Sequence, residues 1–233
     1  MKRALAAGLM MLAAPARSQD LGSQEIMVTA QRVEQDGYQR DMPAVGLRRP
    51  ADFLVQEVVI SGDSRDAKQR ASEIRQMLRK AVDLAKSHGV ELAFGDYILT
   101  TLTVDNLDEI TLTDDRRPDS QKVVFLVKAP LGGKENGTSA ERRIEAYVDA
   151  VPEVGRAQMD ISGDSSLSIV GPDKYRVQIA DKVMDDAKVL AAKMGPEYAV
   201  TIEGLNMPVL WTQAGPADVL LYVPYKLVLV PKR

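Results

Sequence analysis

The stretch GPDKYRVQIADKVMDDAKVLAAKMG, residues 171–195, decides the fold, because it has the pattern of one amphipathic helix with a clear start and a clear end. Pro172 and Asp173 suit a first turn, where proline has no amide to lose and aspartate meets the positive end of the helix dipole. Gly195 ends the pattern. Apolar residues recur at three- and four-residue spacing, namely Tyr175, Ile179, Val183, Ala187, Leu190, Ala191 and Met194. We predict a helix with one face built for burial.

Three strands are predicted after this helix, over residues 198–203, 208–213 and 217–230, separated by breaks that contain glycine or proline. The last strand is apolar on both faces, which favours burial on both sides. Its predicted inward set is Val219, Leu221, Val223, Tyr225, Leu227 and Leu229. Pro224 cannot donate to a strand ladder, so we expect a bulge or an open edge there.

The helix DKVMDDAKVLAAKMG (181–195), the strand at 198–203 and the terminal VLLYVPYKLVL (219–229) resemble the C-terminal half of bacterial SIMPL-domain proteins. That family is periplasmic and includes oxidative-stress-defence and immunogenic outer-membrane-associated members. The resemblance spans residues 52–230 and carries no catalytic motif. It implies a non-catalytic protein that forms homo-oligomers, with an envelope protein as a further candidate partner, and that is linked to stress tolerance.

The N-terminus has the layout of a secretory signal peptide. Lys2 and Arg3 precede an apolar run over residues 4–14, and Ala14-Pro15-Ala16 supplies small residues for cleavage. The alternatives are a first helix of the domain or a membrane anchor, but the run is shorter than the roughly 20 residues that a bilayer requires. We therefore predict a signal peptide over residues 1–18 and a periplasmic protein.

Composition limits the class of protein. The 233 residues are 45% hydrophobic and 27% charged with a formal net charge of −3, which is typical of a globular protein and gives no basic face for nucleic acid. After the signal peptide, no further apolar stretch is long enough to cross a membrane. The chain contains no cysteine, so packing without disulfides has to hold the exported fold.

Residues 19–51 are predicted to be an extended N-terminal segment and linker. Within them, QEIMVTAQR (24–32) predicts a short strand or an extended arm. It also resembles the segment that opens the plug domain of TonB-dependent receptors, but such a receptor needs several hundred residues, which this chain lacks. Residues 35–51, with their charges, glycines and prolines, are expected to form a loop or linker.

Residues 52–230 are predicted to form an α+β domain, an antiparallel sheet packed with about three helices, as one unit or as two similar halves. Further strands are expected at 53–61, 97–104, 109–113, 121–128, 155–161 and 166–170. A first helix, capped by Asp63 or Ser64, buries Ala67, Ala71, Ile74, Leu78, Ala81 and Ala85 and ends at Gly89. A second helix begins with Thr138 and Glu141 as a capping box and stops at Pro152.

The pentapeptide ISGDS occurs twice, at residues 60–64 and 161–165. It indicates either a duplication, with an insertion in one half, or the same turn chemistry arising by chance. Gly-Asp-Ser after a strand also resembles the nucleophile block of GDSL hydrolases, with Ser64 or Ser165 as nucleophile. That chemistry needs a histidine base, and the chain's one histidine, His88, lies at a helix end without the Asp-x-x-His pattern of that family.

Metal and phosphate motifs are missing from the sequence. One histidine and no cysteine exclude the usual zinc sites. The acidic residues Asp105, Asp108, Glu109, Asp114 and Asp115 lack the spacing of a calcium loop. We therefore assign no catalytic, cofactor-binding or metal residue, expect no cofactor, and predict a non-catalytic envelope protein. The alternatives are a module that binds a small molecule or an envelope partner, and a GDSL-like serine hydrolase.

Overall fold

The computed structural model describes residues 25–28, 43–96, 98–132 and 135–232, and these form the α+β fold that the sequence predicts. The predicted signal peptide, residues 1–18, lies outside the described residues. The strands are β1 (Glu25–Val28), β2 (Leu47–Pro50), β3 (Phe53–Gly62), β4 (Glu91–Phe94), β5 (Ile98–Thr101), β6 (Thr113–Asp114), β7 (Gln121–Pro130), β8 (Gln158–Val170), β9 (Tyr198–Glu203), β10 (Leu210–Gln213), β11 (Asp218–Tyr222) and β12 (Lys226–Pro231). The α-helices are α1 (Ala67–Ala85), α2 (Gly137–Ala150) and α3 (Arg176–Met194).

The main sheet closes into a ring. The strands β3, β8, β1, β5, β4 and β7 pair in that order, all antiparallel, and β7 pairs back onto β3. The two long strands β3 and β7 pair along their whole length, from Phe53 opposite Pro130 to Gly62 opposite Gln121. Because side chains alternate along a strand, each long strand has one face toward the helices and one toward the inside of the ring.

The main core lies between the ring and the helices. Its buried residues include Leu54, Val58 and Ile60 from β3, Val123, Phe125 and Val127 from β7, Ile74, Met77, Leu78 and Ala81 from α1, and Ile144 and Tyr147 from α2. The Tyr147 hydroxyl is buried and donates to the Ala81 carbonyl at 2.8 Å, which ties α2 to α1. Burial raises the pKa of this phenol.

Both early helices are capped, but at positions other than those predicted. The Asp66 side chain accepts from the Gln69 N–H at 2.8 Å at the start of α1, so Asp63 and Ser64 are wrong as caps. Both of those side chains are engaged in the polar cluster described below. Asn136 caps α2 in a reciprocal box with Ser139, at 3.0 Å in each direction. The predicted pair of Thr138 and Glu141 is wrong, because α2 starts at Gly137.

Two strand predictions also need correction. Of the segment predicted as a strand at 109–113, Glu109 ends a 3-10 turn, Val104–Glu109, and Thr113 alone belongs to a strand, β6. The turn, in which Leu107 is buried, packs against α1. The two strands predicted at 155–161 and 166–170 are one strand, β8, with a register shift opposite Val55 and Glu57. Gly163, with φ of 66°, lies within this irregular stretch, where a positive φ favours glycine.

The two ISGDS copies occupy different places. The first, residues 60–64, ends β3 and leads into α1, whereas the second, residues 161–165, lies inside β8 and ends five residues before that strand does. The copies therefore do not occupy equivalent positions in the two strand-to-helix units. The repeated pentapeptide therefore does not support a duplication into two similar halves.

The C-terminal third forms two smaller sheets beside α3. The strands β10, β11 and β2 form a three-stranded sheet, and β9 pairs with β12 in a two-stranded ribbon. The prediction of one strand over 217–230 is wrong, because residues 223–225, with Pro224 among them, separate β11 from β12. The expected linker at 35–51 is corrected too, since its last residues form β2, which pairs with β11.

The predicted buried face of α3 is only partly covered. Ile179, Val183 and Ala187 are buried, as the periodicity predicts. Leu190 and Met194 continue the same stripe but are 40% and 47% exposed. The core therefore covers the first part of α3 and leaves the last turns uncovered.

Candidate functional site

A cleft of about 520 Å³ lies at the end of the ring where β3 ends and β7 and β8 begin. It is formed by the end of β3, the loop before β7 and the loop before β8. The lining residues are Ser61, Gly62, Asp63, Asp115, Arg116, Arg117, Ser120, Gly155, Arg156 and Gln158. Three of these ten lining residues are arginines.

Asp63 and Arg156 form a bidentate ion pair across the cleft. The Arg156 Nε donates to Asp63 Oδ1 at 2.6 Å, and Nη2 donates to Oδ2 at 2.9 Å. This hydrogen bond from Arg156 holds the pKa of the Asp63 carboxyl below its usual range, and the positive charge of Arg117 adds to the effect. The pair raises the pKa of the Arg156 guanidinium in turn. Both groups stay charged at neutral pH.

A buried carboxylate, Glu73 of α1, holds the loop that carries Arg156. Its oxygens accept from the Ser64 hydroxyl at 2.5 Å, from the Gln69 amide at 2.8 Å and from the Arg156 backbone N–H at 3.2 Å. The hydrogen bond from Ser64, followed by that from Gln69, lowers the pKa of Glu73. Glu73 is therefore an anion with its acceptors used by protein donors.

Gly155 lets the backbone approach Glu73 closely. Its φ is 60°, and a Cβ at this position would collide with the Glu73 carboxylate. A side chain here would therefore displace either Glu73 or the loop that carries Arg156. The loop position of Arg156 is thus set by α1 through one hydrogen bond and one close contact.

Arg70 completes the buried network one turn before Glu73. Only 6% of its surface is exposed, and its Nη1 donates to the Ser64 carbonyl at 2.7 Å while its Nε donates to Gln121 at 3.2 Å. Neither Arg70 nor Glu73 was predicted from the sequence as a site residue. The signal was present, because Arg70 and Glu73 fall on the same helical stripe as Ile74 and Met77, and charged residues on a buried stripe need partners.

Arg116 and Arg117 face the cleft without a carboxylate partner. Both are exposed, and no Asp or Glu oxygen among the described residues lies within ion-pair distance of either guanidinium. Their loop is a tight turn, in which the Ser120 N–H donates to the Arg117 carbonyl at 3.1 Å. The neighbouring Asp115 is paired with Lys122 at 3.6 Å. The free positive charge of the cleft is therefore on these two arginines.

A second polar cluster lies inside the ring. Lys128 of β7 is 2% exposed and pairs with Glu25 of β1 and, at 3.1 Å, with Glu91 of β4. Its ammonium also lies 4.0 Å from the ring centroid of Phe53, and the Ser168 hydroxyl donates to Glu25 at 2.5 Å. The pairs link β1 to β7 across the ring. The charged groups of this cluster pair with one another, so the cluster acts as a structural cross-link.

The residues of the hydrolase hypothesis do not come together. The Ser64 hydroxyl donates to Glu73, Ser165 lines a different cleft beside Gln56 and Glu141, and the His88 ring lies edge-on to Tyr147 at 5.8 Å between centroids. Within the described ranges, neither serine is hydrogen-bonded to His88. No group of three or more potential metal ligands is found among the described residues.

The C-terminal apolar face is a further surface feature, which we define as Leu190 and Met194 of α3, Tyr198 of β9 and Leu229 of β12. These side chains are between 38% and 47% exposed. Helix α3 packs against β9, and Tyr198 and Leu229 lie on the same face of the ribbon, because Leu229 pairs with Val200, two residues from Tyr198. The uncovered end of α3 therefore adjoins an uncovered end of the ribbon.

Among the described helices, none combines the length and the apolar character that crossing a membrane requires. No protein-family model, curated protein or solved structure shows a significant match to this chain.

Proposed function

We propose that this chain is a non-catalytic protein of the bacterial cell envelope that is exported to the periplasm, self-assembles and supports envelope or oxidative-stress tolerance. The resemblance to SIMPL-domain proteins supports the cellular role, and the layout of residues 1–18 supports export. The observation that carries self-assembly is the C-terminal apolar face, where the apolar stripe of α3 continues past the part that the described residues bury.

The ribbon favours a second copy of the same chain as the occupant of this face. In the described part of the chain, β9 and β12 pair only with each other, so each has an open edge. An antiparallel pairing of β12 with its own copy about a two-fold axis places Lys226 opposite Pro231 and the apolar residues between them opposite one another. No like charges meet in this arrangement, so β12 is compatible with its own copy.

Sedimentation velocity over a range of concentrations tests self-assembly of the mature chain. We expect the mass to rise from monomer to dimer or higher, and the double variant Leu190→Lys/Met194→Lys to remain monomeric. The matched control is Val177→Lys/Val189→Lys, which adds the same charge to α3 at exposed positions outside the C-terminal apolar face and leaves assembly intact. A wild-type chain that stays monomeric up to its solubility limit would refute self-assembly.

N-terminal sequencing of the protein from a periplasmic extract tests export. We expect the mature chain to begin near Arg17 or Gln19, because the small residues at 14–16 mark the cleavage site. Protein that retains Met1, or that is found in the cytoplasm only, contradicts the proposed location.

An esterase screen addresses the hydrolase alternative, which the hydrogen bond from Ser64 to Glu73 disfavours.

A further inference from the structure

We propose that the cleft between Asp63, Arg117 and Arg156 binds a small dianion, a ligand that carries a phosphate ester or two carboxylates. The cleft shares no residue with the C-terminal apolar face, so this inference goes beyond self-assembly and is tested separately.

The charge balance of the cleft selects an anion. Its carboxylates are already used, Asp63 by Arg156 and Asp115 by Lys122. Arg116 and Arg117 keep two positive charges without a carboxylate partner in the described part of the chain. Two guanidinium groups that have no ion-pair partner among the described residues and lie beside one cleft match a ligand with two negative charges.

Arg156 is held in place by protein groups without a ligand. Arg156 is held at its backbone by Glu73 and at its side chain by Asp63. The bidentate pair uses Nε and Nη2, and no acceptor among the described residues is bonded to Nη1. A donor that is already oriented loses less conformational entropy when a ligand binds, so Arg156 is available as a third, pre-oriented contact.

The chemistry of the lining determines the class of ligand. A guanidinium is a planar fork whose N–H groups match the oxygens of a carboxylate or a phosphate. The volume of about 520 Å³ is that of a small-molecule site, and the lining residues are polar or glycine. The lining is predominantly polar, and three arginines offer a compact anion hydrogen-bond donors.

Isothermal titration calorimetry of the mature protein, at neutral pH and constant ionic strength, tests the proposal with three probes: inorganic phosphate, succinate and acetate. We expect saturable binding of phosphate or of succinate, and the stronger of the two identifies the class of the natural ligand. Acetate carries a single charge and should bind at least about tenfold more weakly, because it loses a charge-assisted contact.

Two double variants separate the cleft from general surface charge. Arg116→Ala/Arg117→Ala removes the unpaired cations and should weaken dianion binding by about tenfold or more. Arg79→Ala/Arg142→Ala removes the same charge at exposed positions outside the cleft and should leave the affinity unchanged. Gly155→Ala, which displaces either Glu73 or the loop that carries Arg156, should weaken binding as well.

Three results would overturn the proposal. They are no saturable binding of either dianion, acetate binding as tightly as the dianions, and an Arg116→Ala/Arg117→Ala variant that binds like wild type or loses no more affinity than the control. Circular dichroism of each variant shows whether it is folded. Because the arginine variants alter exposed side chains, they test binding even if Gly155→Ala fails to fold.

Discussion

β11 and β12 are separated by only three residues and are similarly apolar, yet they contribute very differently to the fold. β11 is the central strand of a three-stranded sheet, and Val219 and Leu221 are fully buried. β12 belongs to a two-stranded ribbon, and Leu229 is 44% exposed. The number of neighbouring elements, rather than the apolar pattern, decides which strand is core. β12 is then the strand whose exposed apolar surface is available to a partner.

Truncation after Pro216 should have the largest effect, because it removes both strands. Val219, Leu221 and Val223 are fully buried, and together they contribute about 5 to 9 kcal/mol as an upper estimate. A whole domain has a stability of about 5 to 15 kcal/mol. We expect cooperative thermal unfolding, followed by circular dichroism, to be lost. Removal of Lys232 and Arg233 alone is the control and should be close to neutral.

A truncated chain that still melts cooperatively near the parent temperature would show that β11 is an appendage. Neither β11 nor β12 would then belong to the core.

Leu221→Ala isolates the contribution of β11. The side chain is fully buried in the main core, so its loss should lower the free energy of unfolding by about 2 to 5 kcal/mol, measured by urea denaturation. Val219→Ala is a companion variant that removes fewer atoms and should cost less. A loss below about 0.5 kcal/mol for Leu221→Ala, the range of surface substitutions, would contradict the assignment.

Truncation after Tyr225 isolates the contribution of β12. The half-buried residues Leu227 and Val228 are lost, and they are worth about 1.5 to 3 kcal/mol together. We expect cooperative urea unfolding to persist with a lower midpoint. Loss of cooperativity in this shorter truncation would show that the ribbon is an essential part of the core.

Much of the first half of the fold was predictable from sequence because its signals are local. The period of α1 and the apolar runs of β3 and β7 place these elements to within a few residues. The closure of the ring was not predictable, because β7 pairs with β3 across 59 to 77 residues of sequence and β1 enters from a short segment near the N-terminus. Such pairings depend on contacts that no local pattern records.

The candidate site was less predictable than the fold. The sequence offers Ser64 as a candidate nucleophile, but in the structure its hydroxyl donates to Glu73. Glu73 can accept this hydrogen bond only because α1 packs against the ring and buries it. Arg117 and Arg156 are nearly forty residues apart in sequence and meet because β7 and β8 begin at the same end of the ring. Spacing along the chain therefore gave no signal of the cleft.

The acid dependence of stability should come in part from Asp63 and Glu73 and not from β12. The folded pKa values of Asp63 and Glu73 lie below their ordinary values of 3.8 and 4.5, so the unfolded chain takes up protons first as the pH falls. Their stabilising contribution is complete above pH 4.5 and is lost as the pH falls through the folded pKa values. We expect the urea midpoint to fall over that range, by less than the truncation after Tyr225 lowers it.

Two comparisons sharpen the acid test. The chain truncated after Tyr225 should show the same dependence, because β12 contains no carboxylate. Glu73→Gln should be less stable at neutral pH and show a shallower dependence, since one of the titrating groups is gone. A midpoint that stays constant as the pH falls from 4.5 to about 2 would refute the role of these carboxylates.

Leu229→Ala should have the smallest effect on the monomer. The side chain is 44% exposed, so the free energy of unfolding at concentrations where the chain is monomeric should change by no more than about 1 kcal/mol. The same substitution removes apolar surface from the C-terminal apolar face and should shift the monomer–dimer equilibrium toward monomer in sedimentation velocity. A near-neutral effect on folding together with weaker assembly would identify Leu229 as a contact between copies. A monomer destabilised as much as by Leu221→Ala would instead make β12 as much a part of the core as β11.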